Sequence, residues 1–115
     1  MPLVEIIKES PKVLVERKKT HMDYDEIAKM IYNEYKAPSE EFRSAGIQWS
    51  VLDVERRDHN SICVRHVGNE EDYFLCFEFE NRRDLEKTLD VLRRKYGCHK
   101  VEELEEGLEW WHCKP

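Results

Sequence analysis

A chain of 115 residues with 40% hydrophobic and 38% charged side chains makes one ordinary domain, long enough to bury a core without metals or cross-links and too apolar to stay disordered. Its formal charge of -6, from 25 acidic against 19 basic residues, disfavours a phosphate backbone as partner unless the bases segregate onto one face, and favours basic protein surfaces. No apolar run approaches a secretory core or a membrane span, so a cytoplasmic protein that does not enter the membrane is expected, with Cys63, Cys76, Cys98 and Cys113 as thiols.

The chain opens with two short apolar runs, Leu3 to Ile7 and Val13 to Val15, rich in β-branched residues and separated by Glu9-Ser10-Pro11. They are too short for helices and predict a strand near residues 12–19, with room for another before it. Asp23 followed by Glu26 has capping-box spacing, and Tyr24, Ile27, Ala28, Ile31 and Tyr35 share one face at a period of 3.6. A helix therefore starts after Asp23, and Pro38 stops it after Ala37; Ser39 to Ala45 adds at most a helical turn.

Three strands follow. Ile47, Trp49 and Val51 point one way while Leu52 and Val54 have the opposite parity, which calls for a bulge or for burial on both faces. Asp58-His59-Asn60 supplies a turn into Ile62, Val64 and His66 on one face, with Cys63, Arg65 and Val67 on the other. After Gly68-Asn69, the residues Tyr73, Leu75, Phe77 and Phe79 alternate with Phe74, Cys76, Glu78 and Glu80, the clearest strand in the chain.

Asn81 caps a second helix whose stripe is Leu85, Thr88, Leu89, Leu92 and Tyr96; Arg93, Arg94 and Lys95 suit its negative end, and Gly97 supplies a left-handed stop. Beyond it, Gly107 interrupts the amphipathic pattern of Val101, Leu104, Leu108 and Trp111, so a short helical turn ending near Gly107 and a last strand from Leu108 to Cys113 are expected. The order is β-α-β-β-β-α-β. An α+β domain follows, an antiparallel sheet of four or five strands with both helices on one face, because that arrangement buries both helical stripes at once.

No nucleophile elbow, zinc-protease motif, phosphate loop or dinucleotide glycine pattern occurs, and the histidines are dispersed. His59 beside Asp58 could serve as an oriented base, but a solvated turn pair is the simpler reading. Cys63 and His66 have opposite strand parity and cannot chelate one ion. Cys98-His99 and His112-Cys113 could converge on zinc if the last strand passes the end of the second helix; the alternatives are a Cys98–Cys113 disulfide or two terminal cysteines with surface imidazoles. No cofactor is expected, and a small zinc-binding or enzymatic domain is the least favoured reading.

The succession helix, three strands, helix resembles that of double-stranded-RNA-binding domains, whose second helix presents a basic N-terminus to phosphates. Arg82 and Arg83 occupy the comparable place, but Asp84 and Glu86 follow at once. A nucleic-acid-binding alternative therefore rests on Arg82, Arg83, Arg93 and Arg94, joined by Arg17-Lys18-Lys19 and Arg56-Arg57 if the fold gathers them. The stronger signal is C-terminal: Glu102-Glu103-Leu104-Glu105-Glu106 leads into Glu109, Trp110 and Trp111. Aromatic anchors dominate binding energy and charges steer approach, while adjacent tryptophans on a strand face opposite ways, one for the core and one for the surface. The expected function is non-catalytic: an adaptor, inhibitor or regulatory protein that engages a protein partner, or a second copy of itself, through Trp110, Trp111, Glu105, Glu106 and Glu109.

Overall fold

A computed structural model of the chain describes residues 2–9, 16–38, 40–44, 46–55, 59–69 and 72–114, with the backbone alone described at 7–9, 16–21, 41 and 106. The chain is α+β, as its patterning predicts, but among the described residues the antiparallel sheet has seven strands rather than four or five. In chain order the elements are β1 (Leu3–Glu9), β2 (Glu16–His21), α1 (Tyr24–Lys36), α2 (Glu40–Arg43), β3 (Trp49–Val54), β4 (Ser61–Val67), β5 (Asp72–Phe79), α3 (Arg82–Tyr96), β6 (His99–Glu103) and β7 (Glu109–His112), with a 3-10 turn at Glu105–Gly107. The β3–β4–β5 meander forms the centre; the β1–β2 hairpin extends it beyond β5 and the β6–β7 hairpin beyond β3, giving the order β2-β1-β5-β4-β3-β7-β6.

β2 overlaps the strand expected near residues 12–19, β1 fills the room left before it, and β6 is the strand not expected. β2 and β6 are the two edges. The β2 sequence, Glu-Arg-Lys-Lys-Thr-His, and β6, His-Lys-Val-Glu-Glu, lack apolar alternation, and β6 is exposed along its whole length. An edge strand takes its hydrogen bonds from one neighbour and needs no buried face, and charge on it discourages further pairing. The short helical turn expected to end near Gly107 forms as the 3-10 turn Glu105–Gly107, and the stretch before it is the strand β6, which begins just beyond the αL cap at Gly97 (φ 65°).

The helix termini form as the sequence predicts: the Glu26 amide donates to Asp23 Oδ1 at 2.7 Å and the Asp84 amide to Asn81 Oδ1 at 2.9 Å. Register then sorts every strand residue to a face. Val4 stands opposite Phe79, Ile62 opposite Phe77, Val64 opposite Leu75, Leu52 opposite both Val64 and Trp111, so these share one side of the sheet. There they meet Ile27, Ala28 and Ile31 of α1 and Leu85, Leu89 and Leu92 of α3 in a single core. Hydrophobic burial of this size is the main term holding the layers together. The helices are also tied to each other, by a hydrogen bond from Tyr24 Oη to Asp84 Oδ1 (2.8 Å) and by the stacked rings of Tyr32 and Tyr96 (4.6 Å).

At the rim of the same side, α2 lays Phe42 against the rings of His66 and Tyr73 at 5.4 and 5.3 Å. His66 is fully buried and its Nδ1 lies 2.6 Å from Ser50 Oγ. The parity conflict in β3 is resolved by burial on both faces, since its pairing with β4 runs without interruption from Trp49 to Val54. The sheet's register shift lies instead between β6 and β7, at Lys100 and Glu102.

Candidate functional site

The described strand side chains that do not face the helices face away from them, and that second side is where exposed aromatic surface collects. Trp110 of β7 pairs with Asp53 of β3, Val51 with Arg65 of β4, Arg65 with Phe74 of β5, and Trp49 with Val67. None of these side chains belongs to the core shared with α1 and α3. Trp49 is 47% exposed, and Phe74, Val67 and Trp110 are half-buried. The face is thus an aromatic and aliphatic surface without a second layer of helices.

Its centre is charged. The Arg65 guanidinium lies 5.6 Å from the Phe74 ring and 6.0 Å from the Trp110 ring, so it is flanked by aromatic surface on two sides. Arg65 Nε donates to Asp72 Oδ2 at 2.9 Å, while its Nη1 stands 4.0 Å from Asp53 Oδ2. One cation therefore serves two carboxylates and is committed to Asp72. Asp53 is only 13% exposed, and burial pushes its carboxyl up to about 6, with Arg65 offsetting part of that cost and Glu55 and Asp72 adding to it. Asp53 Oδ1 and Trp110 Nε1 are both buried without a hydrogen-bond partner, an acceptor and a donor on cross-strand neighbours.

The two tryptophans separate as strand geometry requires, and the C-terminal acids do not stay together. Trp110 joins the open face; Trp111, 9% exposed, enters the core, where its Nε1 donates to Glu109 Oε1 at 3.1 Å. Glu109 is 1% exposed, with Lys100 Nζ 3.3 Å from its second oxygen. It is a buried structural acid rather than a surface one. Glu105 is exposed in the 3-10 turn, and the Glu106 side chain lies outside the described residues. The residues that build the face beside Trp110, namely Asp53, Arg65, Asp72, Phe74 and Trp49, are not found by scanning for charge runs. Their signal is parity: Phe74 is an aromatic on the polar phase of β5, and Trp49 and Val51 share a phase opposite to Leu52.

Among the described side chains the bases are dispersed. Arg82 donates to the main-chain oxygens of Glu55 (2.7 Å) and His59 (3.4 Å), fastening α3 to the β3–β4 connection, and Arg83 is exposed beside it. Arg93 and Arg94 lie about 16 Å further along α3, where both pair with Asp90. Arg56, Arg57 and Asp58 lie outside the described residues, as do the side chains of Arg17, Lys18 and Lys19.

The cysteines are not thiols: Cys63 is joined to Cys76 and Cys98 to Cys113. Cys63 and Cys76 are cross-strand partners on the open face, and Cys98 and Cys113 link the end of α3 to the chain after β7. His99 and His112 are paired across β6 and β7, but the sulfurs beside them are bonded to each other and so are not available as thiolate ligands. Among the described residues no group of three or more His, Cys, Asp or Glu is placed to hold a metal ion, and no helix is long and apolar enough to cross a membrane. Compared with protein-family models, with curated proteins and with solved structures, the chain matches none.

Proposed function

We propose that the protein is a non-catalytic interaction module, an adaptor, inhibitor or regulatory protein that docks a protein partner on the sheet face carrying Trp110. The observation that carries this reading is the flanking of Arg65 by Trp110 and Phe74 on the face without helices, with Trp49 exposed further along it. Rigid aromatic side chains held by a sheet are the groups that supply most binding energy at interfaces. Glu105, and Glu106 next to it in sequence, would serve as a steering rim; Trp111 and Glu109 support the fold beneath. The two disulfides favour an oxidising compartment over the cytoplasm as the place of action.

A nucleic acid is the weaker alternative. Arg82 is engaged by backbone, Arg93 and Arg94 by Asp90, and at the centre of the open face Asp53 and Asp72 stand beside Arg65. Capture of partners from the source lysate tests the proposal: Trp110→Ala and Phe74→Ala should each lose the bound protein while remaining folded, and Arg83→Ala should keep it. Undiminished capture by both aromatic variants would remove this face from consideration.

A further inference from the structure

The open face carries an excess carboxylate at its centre, and its aromatic neighbours are arranged around that excess. Asp53 and Asp72 share Arg65, whose Nε bond and closest contact go to Asp72. Asp53 is left with one oxygen 4.0 Å from the guanidinium and the other buried without a partner. Directly across the strand, the Trp110 indole N–H is likewise buried and unbonded. Buried polar atoms in folded proteins are almost always paired, and each unpaired one costs about 1–3 kcal/mol. Here a donor and an acceptor are both unpaired on adjacent residues of a surface that no helix covers.

We infer that the partner inserts a cationic side chain, an arginine or lysine flanked by apolar residues, between Trp110 and Asp53, giving Asp53 its second cation and offering the indole N–H a main-chain carbonyl. This rests on the reading of the open face as a docking surface and names what docks there. With a partner cation in place, two carboxylates face two cations, and the aromatic rings that flank Arg65 would lie beside the newcomer as well. The elevated carboxyl of Asp53 agrees with this, because burial raises it to about 6 and Arg65 offsets only part of that cost, so a second cation would favour the ionised form further. An anionic occupant would meet the carboxylates of Asp53 and Asp72 at the same place.

The test uses three capped tripeptides, Leu-Arg-Leu, Leu-Ala-Leu and Leu-Glu-Leu, titrated into the intact isotope-labelled protein while the Trp110 indole N–H resonance is followed. The arginine peptide should bind at least about tenfold more tightly than the alanine peptide, the glutamate peptide should bind least, and Asp53→Asn should bring the arginine peptide down to the alanine value. Equal affinity of the arginine and alanine peptides at the Trp110 resonance would overturn the cationic partner and leave the docking face standing. No response to any peptide would overturn both. A single-stranded oligonucleotide that moves the Trp110 resonance when the arginine peptide does not, or concentration-dependent dimerisation that buries it, would also overturn the inference and assign the face to nucleic acid or to a second copy.

Discussion

Trp110 and Trp111 leave the same strand through opposite sides of the sheet, one toward Arg65 and the other toward Glu109. Their replacement should therefore have opposite signatures. Trp111→Ala empties a core position and removes the indole donor to the buried Glu109, and should cost about 3–5 kcal/mol in urea unfolding. Trp110→Ala should cost about 1 kcal/mol and abolish partner capture. Equal destabilisation by both would show that the Trp110 ring is also core.

Asp53 makes stability depend on pH in the direction opposite to an ordinary paired carboxylate. Its carboxyl is raised from 3.8 to about 6 by burial, so the folded protein holds this proton more tightly than the unfolded chain. The protonated form's contribution is fully present below pH 3.8 and is lost as pH rises toward 6 and beyond. The difference corresponds to about 3 kcal/mol as an upper bound, since Arg65 and solvent at the rim relax part of it. Asp53→Asn should accordingly raise stability near neutral pH by about 1–3 kcal/mol, with the gain vanishing below pH 4. Urea midpoints of the two proteins across this range decide it, and a variant less stable than wild type at pH 7 would contradict it.

Much of this architecture is legible in the chain because burial forces periodicity. The caps at Asp23 and Asn81, the stripe from Leu85 to Leu92 and the apolar phase from Tyr73 to Phe79 all reflect elements that pack against the same core. The strand β6 leaves no such trace, since an edge exposed along its whole length is under no pressure to alternate. The site was half legible. Adjacent tryptophans on a strand must diverge, but which one turns inward depends on the pairing of Leu52 with Trp111, a relation between residues 59 positions apart. Asp53 escapes entirely: an aspartate in a strand reads as surface until register places it between Cys63 and Trp110.

The disulfides should be unequal. Closing loops of 13 and 15 residues, each should contribute about 3 kcal/mol relative to its reduced state. Access separates them: Cys98 and Cys113 are buried, whereas Cys76 is half-buried on the open face. Exchange with a dithiol requires attack on an exposed sulfur, so dithiothreitol should open Cys63–Cys76 first and Cys98–Cys113 only on unfolding. Alkylation of the native protein followed by mass mapping reads the order directly. Labelling of all four cysteines in unfolded, unreduced protein would show that the bonds are absent.

The contact of Ser50 with His66 closes the rim beneath α2. His66 is fully buried, its Nδ1 lies 2.6 Å from Ser50 Oγ, and its Nε2 is without a hydrogen bond, 3.7 Å from Glu34 Oε1. Ser50→Ala would leave both ring nitrogens unsatisfied in a site covered by Phe42, at a cost of about 1–3 kcal/mol. His66→Phe, which removes the polar atoms and fills a similar volume beside Phe42 and Tyr73, should cost less than Ser50→Ala. The comparison isolates the penalty of an unpaired imidazole from that of lost packing, and a Ser50→Ala protein as stable as wild type would show that water already reaches the ring.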